Sequence, residues 1–150
     1  MYSFNFDWVL KNKLAIGNAP ADKENFKLLK SNGIKSILTL CDISEFNFTS
    51  KEFKEFYWKN IVLPDHTYQI KLSLKSLELA LMYLDDLMRF GAVFVHCKAG
   101  LQRSPLLCMA WLIQNKNLSL DKALIYMMQV HPSSNPMKDH LEVLKRYSLM

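Results

Sequence analysis

Ala92-Val93-Phe94-Val95-His96-Cys97-Lys98-Ala99-Gly100-Leu101-Gln102-Arg103-Ser104-Pro105 is the stretch on which the fold turns. Ala92 to Val95 is an apolar run of the kind expected of a strand buried on both faces. Gly100 lets the following loop turn without a clashing Cβ. Ser104-Pro105 reads as a helix start, with serine as N-cap and proline at the first helical position. A strand, a glycine-containing loop and a helix N-terminus in that order make a nest of backbone N–H groups. Unsatisfied amides and the helix dipole both favour an anion there.

Working outward, strand-like and helix-like segments alternate. Leu14 to Gly17 reads as a short strand ended by Asn18-Ala19-Pro20, and a helix follows from the capping residue Asp22 to Asn32, with Gly33 as terminator. Ile34 to Leu40 is strand-like and is bounded by Cys41-Asp42. Ser50 opens a segment with Phe53, Phe56 and Tyr57 at helical spacing. Ile61-Val62-Leu63 is an apolar strand running into the loop Pro64-Asp65-His66-Thr67. An amphipathic helix spans about Ser73 to Phe90, with Leu77, Leu81, Leu84 and Leu87 on one face and Gly91 as its stop. Further helices run from Ser119 to Gln129 and from about Pro136 to Tyr147. No repeat, low-complexity tract or linker interrupts the pattern. The expectation is one α/β domain over residues 1–150, with a central, mostly parallel sheet of about four to five strands flanked by helices. Sites in such sheets lie beyond the carboxyl ends of the strands. Cys41, Asp65 and Cys97 each follow a predicted strand, so all three fall on that edge.

The chain has 150 residues, half of them hydrophobic, 22% charged, and a formal net charge of +5. This is globular composition, and its scattered lysines and arginines form no nucleic-acid-binding arm. Cys41, Cys97 and Cys108 make no CxxC pair and no zinc-like cluster with the four histidines. An odd, low cysteine count fits a reducing compartment. No apolar run approaches membrane-spanning length and the N-terminus lacks a signal-peptide pattern, so a soluble cytoplasmic protein without stable membrane insertion is expected. No cofactor and no metal is implied, and the GxxxxGK[ST] nucleotide loop is absent.

The loop itself carries chemistry. The nest favours a thiolate at Cys97 over a thiol, and Arg103 offers a planar fork of donors for two oxygens of a tetrahedral oxyanion. Taken singly, Cys97 reads as a small buried hydrophobe, Arg103 as a surface charge, Gly100 as a turn residue and Ser104 as a cap. Their joint spacing favours a metal-free phosphatase loop, with residues Lys98, Ala99, Gly100, Leu101, Gln102 and Arg103 wrapped around phosphate. Such chemistry needs a general acid, and Asp65 is the best placed; against it, Pro64-Asp65 also suits a plain turn. Asp42 and Asp85 are weaker choices, and His66 reads either as lining the entrance or as a solvent-facing loop histidine.

His96-Cys97, Gly100 and Arg103-Ser104 also resemble the HCxxGxxR[S/T] signature of the cysteine-dependent protein tyrosine phosphatase superfamily, and the modest length resembles its compact dual-specificity branch. The resemblance implies a phosphocysteine mechanism in which Cys97 attacks phosphorus. It further implies that Ser104 helps the thiolate leave, that His96 tunes Cys97 from behind the loop, and that Asp65 is placed as the family's acid is. In some relatives a cysteine at a strand end traps the nucleophile as a disulfide. Leu40-Cys41-Asp42 resembles that context, and an inert buried thiol is the alternative. Cys108 reads as core.

The expected substrates are phosphotyrosine and phosphoserine/threonine in proteins. A non-protein phosphomonoester (phosphoinositide, phosphoglucan or nucleotide end) is the alternative. Lys98-Ala99-Gly100 resembles the loop of phosphoinositide-type relatives, and a cationic floor suits a multiply phosphorylated substrate; that resemblance implies a second basic loop residue, whereas Leu101 and Gln102 are neutral. A phospho-binding module and a sulfur-transfer domain are further alternatives. The sequence leaves the oligomeric state open.

Overall fold

The computed structural model describes residues 3–64, 67 and 69–149. Five strands, β1 (Phe6–Leu10), β2 (Leu14–Gly17), β3 (Ile34–Thr39), β4 (Tyr57–Asn60) and β5 (Ala92–His96), form one sheet in the order β1-β2-β5-β3-β4. β1 and β2 pair antiparallel, and every other pairing is parallel. Among the described residues six α-helices flank the sheet: α1 (Lys23–Ser31), α2 (Ser50–Phe53), α3 (Leu74–Met88), α4 (Arg103–Lys116), α5 (Leu120–Val130) and α6 (Lys138–Ser148). The expected α/β architecture is what the chain adopts.

Side-chain alternation along the strands divides the core in two. Leu14, Ile16, Leu38, Val93 and Val95 pack with leucines of α3 and with α4, whereas Ala15, Ile37 and Phe94 pack with Phe26, Phe53 and Phe56 on the opposite face. The two residue sets interleave at β5, which is buried along its whole length. α4 is buried from Arg103 through Leu112, so it has no single apolar stripe; it is the central helix of its layer.

Three of the local helix signals hold. Asp22, Ser73 and Ser119 each cap α1, α3 and α5 by accepting from a first-turn amide. Four features differ from the sequence expectation. β1 was not anticipated; its half-buried aromatics Phe6 and Trp8 pack against the Phe94 side of the core. The strand expected at Ile61-Val62-Leu63 is Tyr57–Asn60 instead, although the Ile61 and Leu63 amides still donate to the Thr39 and Leu40 carbonyls at 2.9 Å. The helix opening at Ser50 closes after Phe53, because Phe53 and Phe56 serve an aromatic cluster rather than a helix face. Finally, α4 begins at Arg103 with Gln102 as N-cap, so Ser104 is not the cap. Pro105 then sits within the first turn, where a missing N–H has no intrahelical partner to lose.

Candidate active site

The parallel pairing of β5 with β2 and β3 aligns Gly17, Thr39 and His96 at one level of the sheet. Beyond that level, at the carboxyl edge, lie Cys41 after β3 and the loop 97–102 between β5 and α4. Cys97 is 2% exposed, and its Sγ accepts the Gly100 N–H at 3.3 Å. Gly100 has φ +75°, and a Cβ there would lie 2.8 Å from the Gly17 carbonyl oxygen, so both conformation and space require glycine.

The loop is held from outside by its carbonyls. Cys97 O accepts from His96 Nδ1 at 2.9 Å, and Lys98 O from the Ala19 amide at 3.0 Å. Gly100 O accepts from His131 Nε2 at 2.7 Å, and Leu101 O from the Asn135 amide at 2.6 Å. In a trans peptide the N–H points opposite to the carbonyl. The four bonds therefore turn the Lys98, Ala99, Leu101 and Gln102 amides away from their anchors, as the nest requires. Lys98 and Ala99 side chains are exposed, so these residues contribute backbone to the loop.

Arg103 is 2% exposed, and its guanidinium is fixed. Nη1 and Nη2 donate to the two carboxylate oxygens of Glu45 at 3.1 and 2.9 Å, and Nη1 also donates to the Leu63 carbonyl at 3.2 Å. These bonds fix the plane of the guanidinium. The Nε–H and second Nη2–H form the parallel side pair that matches two oxygens of a phosphate. Glu45 is itself braced by an N-terminal capping box, accepting from the Asp42 amide at 3.1 Å.

His96 is fully buried, ringed by Phe46, Phe53 and Phe94. Burial pushes its pKa down to about 4, so the ring is neutral. Its bonds agree with one tautomer: Nδ1 donates to the Cys97 carbonyl, and Nε2 accepts from Thr39 Oγ1 at 2.7 Å. Thr39 Oγ1 in turn accepts from Trp58 Nε1 at 2.9 Å. Ser104 is fully buried, and its hydroxyl has no hydrogen-bond partner among the described residues. Burial raises the Cys41 thiol to about 12, against the lowering pull of Arg103. Cys108 is buried and its thiol is likewise raised by burial. All three cysteines are free thiols.

Asp65 and His66 lie outside the described residues. The segment leading to them is tied at two points: Leu63 O to Arg103, and Pro64 O to His140 Nε2 at 3.1 Å. Glu45, His131 and His140 are site residues that the sequence reading missed. The Asp42-Ile43-Ser44-Glu45 spacing is a legible capping box, but nothing local connects it to Arg103. Among the described residues no group of three or more His, Cys, Asp or Glu side chains is placed to hold a metal ion. No helix among them is long and apolar enough to cross a membrane.

The model of the dual specificity phosphatase catalytic domain matches residues 15–149. The chain belongs to this family. Its relatives include the phosphatidylglycerophosphatase and protein-tyrosine phosphatase 1 of Rattus norvegicus, 26% identical over 153 residues covering 94% of this chain and 76% of the relative. The phosphatidylglycerophosphate phosphatase PTPMT2 of Arabidopsis thaliana is 26% identical over 120 residues, 79% of this chain, which spans about half (52%) of that relative's length. Dual specificity protein phosphatase 2 of Mus musculus is 35% identical over 75 residues, 49% of this chain and 23% of the relative. Two solved structures share the fold: Tk-PTP in the active form, with TM-score 0.82, 23% identity and 96% of both chains covered, and PTPMT1 in complex with PI(5)P, with TM-score 0.82, 23% identity and coverage of 96% and 94%.

Proposed function

We propose that this dual-specificity-type domain hydrolyses phosphate monoesters through a phosphocysteine intermediate. The observation that carries the reading is the loop of outward-anchored carbonyls closing over Cys97 with Arg103 fixed at its end. The Cys97 thiolate attacks phosphorus in line with the leaving oxygen, forming the S–P bond as the P–O bond breaks. The side pair of Arg103 donors and the inward amides take up the equatorial oxygens, whose charge needs positioned donors more than it needs new covalent chemistry. Asp65 donates a proton to the departing oxygen and then accepts one from the water that attacks the phosphocysteine. The S–P bond breaks, phosphate leaves, and the Cys97 thiolate returns. Ser104, whose buried hydroxyl lacks a partner, donates to the thiolate as it leaves. His96 stays neutral and holds the Cys97 carbonyl.

The substrates in this reading are phosphotyrosine and phosphoserine/threonine on proteins, supported by the match to the dual specificity phosphatase catalytic domain. A second reading, an exposed phosphate on a lipid headgroup, is favoured by the relatives that span most of the chain, whose names carry phosphatidylglycerophosphate activity. The three free, buried thiols fit a reducing compartment, and we place the protein in the cytoplasm.

One panel tests this. Wild type, Cys97→Ser and Asp65→Asn are assayed with chelator present on p-nitrophenyl phosphate, phosphopeptides, phosphatidylglycerophosphate, phosphoinositides and phosphoglucan. Wild type turns over the aryl phosphate and one natural class, Cys97→Ser does not, and Asp65→Asn loses most activity on poor leaving groups. A fully active serine variant would overturn the mechanism, and a fully active asparagine variant would remove Asp65 as the acid.

A further inference from the structure

We infer that His131 is a positioning residue of the phosphate loop, held as an imidazolium between Asp7 and the Gly100 carbonyl; the loop's role as a phosphate site rests on the function proposed above. His131 follows α5, is fully buried, and uses both ring nitrogens. Nδ1 lies 2.7 Å from Asp7 Oδ2, and Nε2 lies 2.7 Å from the Gly100 carbonyl oxygen. A backbone carbonyl accepts only, and so does an ionised carboxylate. A neutral imidazole carries one N–H and would set a lone pair against one of these oxygens at hydrogen-bond distance. Two donors satisfy both partners, and the Asp7 carboxylate supplies the counter-charge. The Ser133 hydroxyl lies 3.2 Å from Nε2 and, beside a protonated nitrogen, serves as an acceptor. The groups facing the ring are thus Asp7 from β1, the Gly100 carbonyl from the loop and Ser133 from the turn after α5.

The ring sits where a charge acts on the site. Its bond fixes the peptide joining Gly100 to Leu101, so the Leu101 amide is turned to the opposite side. It also steadies Gly100 at φ +75°, the conformation in which the Gly100 amide reaches Cys97 Sγ. A cation behind the carbonyl polarises that peptide in the sense that strengthens its N–H as an anion donor. β1, remote in sequence from the loop, thereby becomes part of the site through Asp7.

Two measurements test the inference. The first is a long-range 1H–15N spectrum of the wild-type histidine rings at pH 7, with His131 assigned by its loss in His131→Gln. It shows both His131 nitrogens protonated; a neutral ring overturns the inference. The second compares orthovanadate inhibition and the pH profile of kcat/KM on p-nitrophenyl phosphate for wild type, His131→Gln and His131→Arg. Glutamine, which donates through one nitrogen and carries no charge, weakens vanadate binding about tenfold, the scale of one charge-assisted bond. Arginine, which restores a charged donor at the same place, recovers at least about a third of the lost affinity. A folded glutamine variant with wild-type vanadate affinity and kcat/KM overturns the inference. If that variant does not fold, Asp7→Asn asks the same question, because it removes the counter-charge and leaves His131 in place; unchanged vanadate affinity there is equally fatal. Wild type that neither binds vanadate nor turns over the ester overturns the functional reading instead, and the ring spectrum still decides the imidazolium.

Discussion

Replacing Glu45 with glutamine separates holding an arginine from binding a phosphate. Arg103 is 2% exposed and the Glu45 side chain 18%, and two charge-assisted bonds of 2.9 and 3.1 Å join them. Removing one partner of a fully buried pair costs about 3–5 kcal/mol. Water reaches Glu45 in part and glutamine keeps one acceptor oxygen, which brings the expected loss to about 2 kcal/mol. For a domain of this size that is a fall in melting temperature of roughly 4–8 °C. The kinetic effect falls unequally. Glu45 draws on the same guanidinium charge as an incoming phosphate and repels the dianion, so its removal favours ground-state binding while the guanidinium loses its fixed plane. The expected result is a kcat lower by about ten- to a hundredfold, with KM changed by less than about threefold, because aim matters most in the transition state. Saturating orthovanadate supplies the missing negative charge, so it narrows the gap in melting temperature between wild type and Glu45→Gln. The assay is p-nitrophenyl phosphate kinetics alongside thermal melts with and without vanadate. A variant with kcat within about twofold of wild type and an unchanged melting temperature would refute the role given to Glu45.

His96 predicts an acid limb in stability. Its pKa is about 4 folded against 6.5 for a free histidine, so below pH 6.5 the unfolded chain binds the extra proton and stability declines as pH falls, levelling near pH 4. The total is of the order of 3 kcal/mol; urea unfolding between pH 7 and 4 measures it, and a His96→Gln variant that keeps the same slope would assign it elsewhere. Gly100→Ala places a Cβ 2.8 Å from the Gly17 carbonyl oxygen at φ +75°. It is expected to lower kcat/KM at least about a hundredfold while destabilising the fold by about 1–3 kcal/mol, and near-normal activity would show that the loop has slack. Iodoacetamide at pH 7, read by peptide mapping, should leave Cys41 and Cys108 unmodified, since burial raises both thiols. Mild peroxide followed by non-reducing mapping tests Cys41 as a redox partner of Cys97. The raised thiol predicts slow bridging, and absence of a 41–97 linkage after long exposure removes that role.

The groups named from the sequence are those whose context is local. Cys97, Gly100 and Arg103 stand within seven consecutive residues between an apolar run and a helix, and the caps Asp22, Ser73 and Ser119 bond within their own first turns. Periodicity failed where a side-chain spacing has two uses. Phe53, Phe56 and Tyr57 fit a helix face, but the chain uses Phe53 and Phe56 in an aromatic cluster and gives Tyr57 to an edge strand. Ser104-Pro105 met the usual rule for a helix start, yet the loop winds into α4 earlier, at Arg103.

The supports of the site were illegible for a different reason. Glu45 and Arg103 are 58 residues apart, His131 and Gly100 are 31 apart, and Asp7 and His131 are 124 apart. No short window contains either end of these contacts with its partner. They exist because the sheet order β1-β2-β5-β3-β4 places β5 at the centre, with β2 and β3 beside it. A loop leaving the middle strand can be reached by the turns that follow both neighbours: Ala19 after β2 holds Lys98, and Glu45 after β3 holds Arg103. The helical layer reaches it from a third side through His131 and Asn135. Chemistry written between His96 and Ser104 therefore depends on carbonyl anchors drawn from across the chain. Substitutions at Glu45, Asp7 or His131 should change how well the loop is formed before they change what it binds.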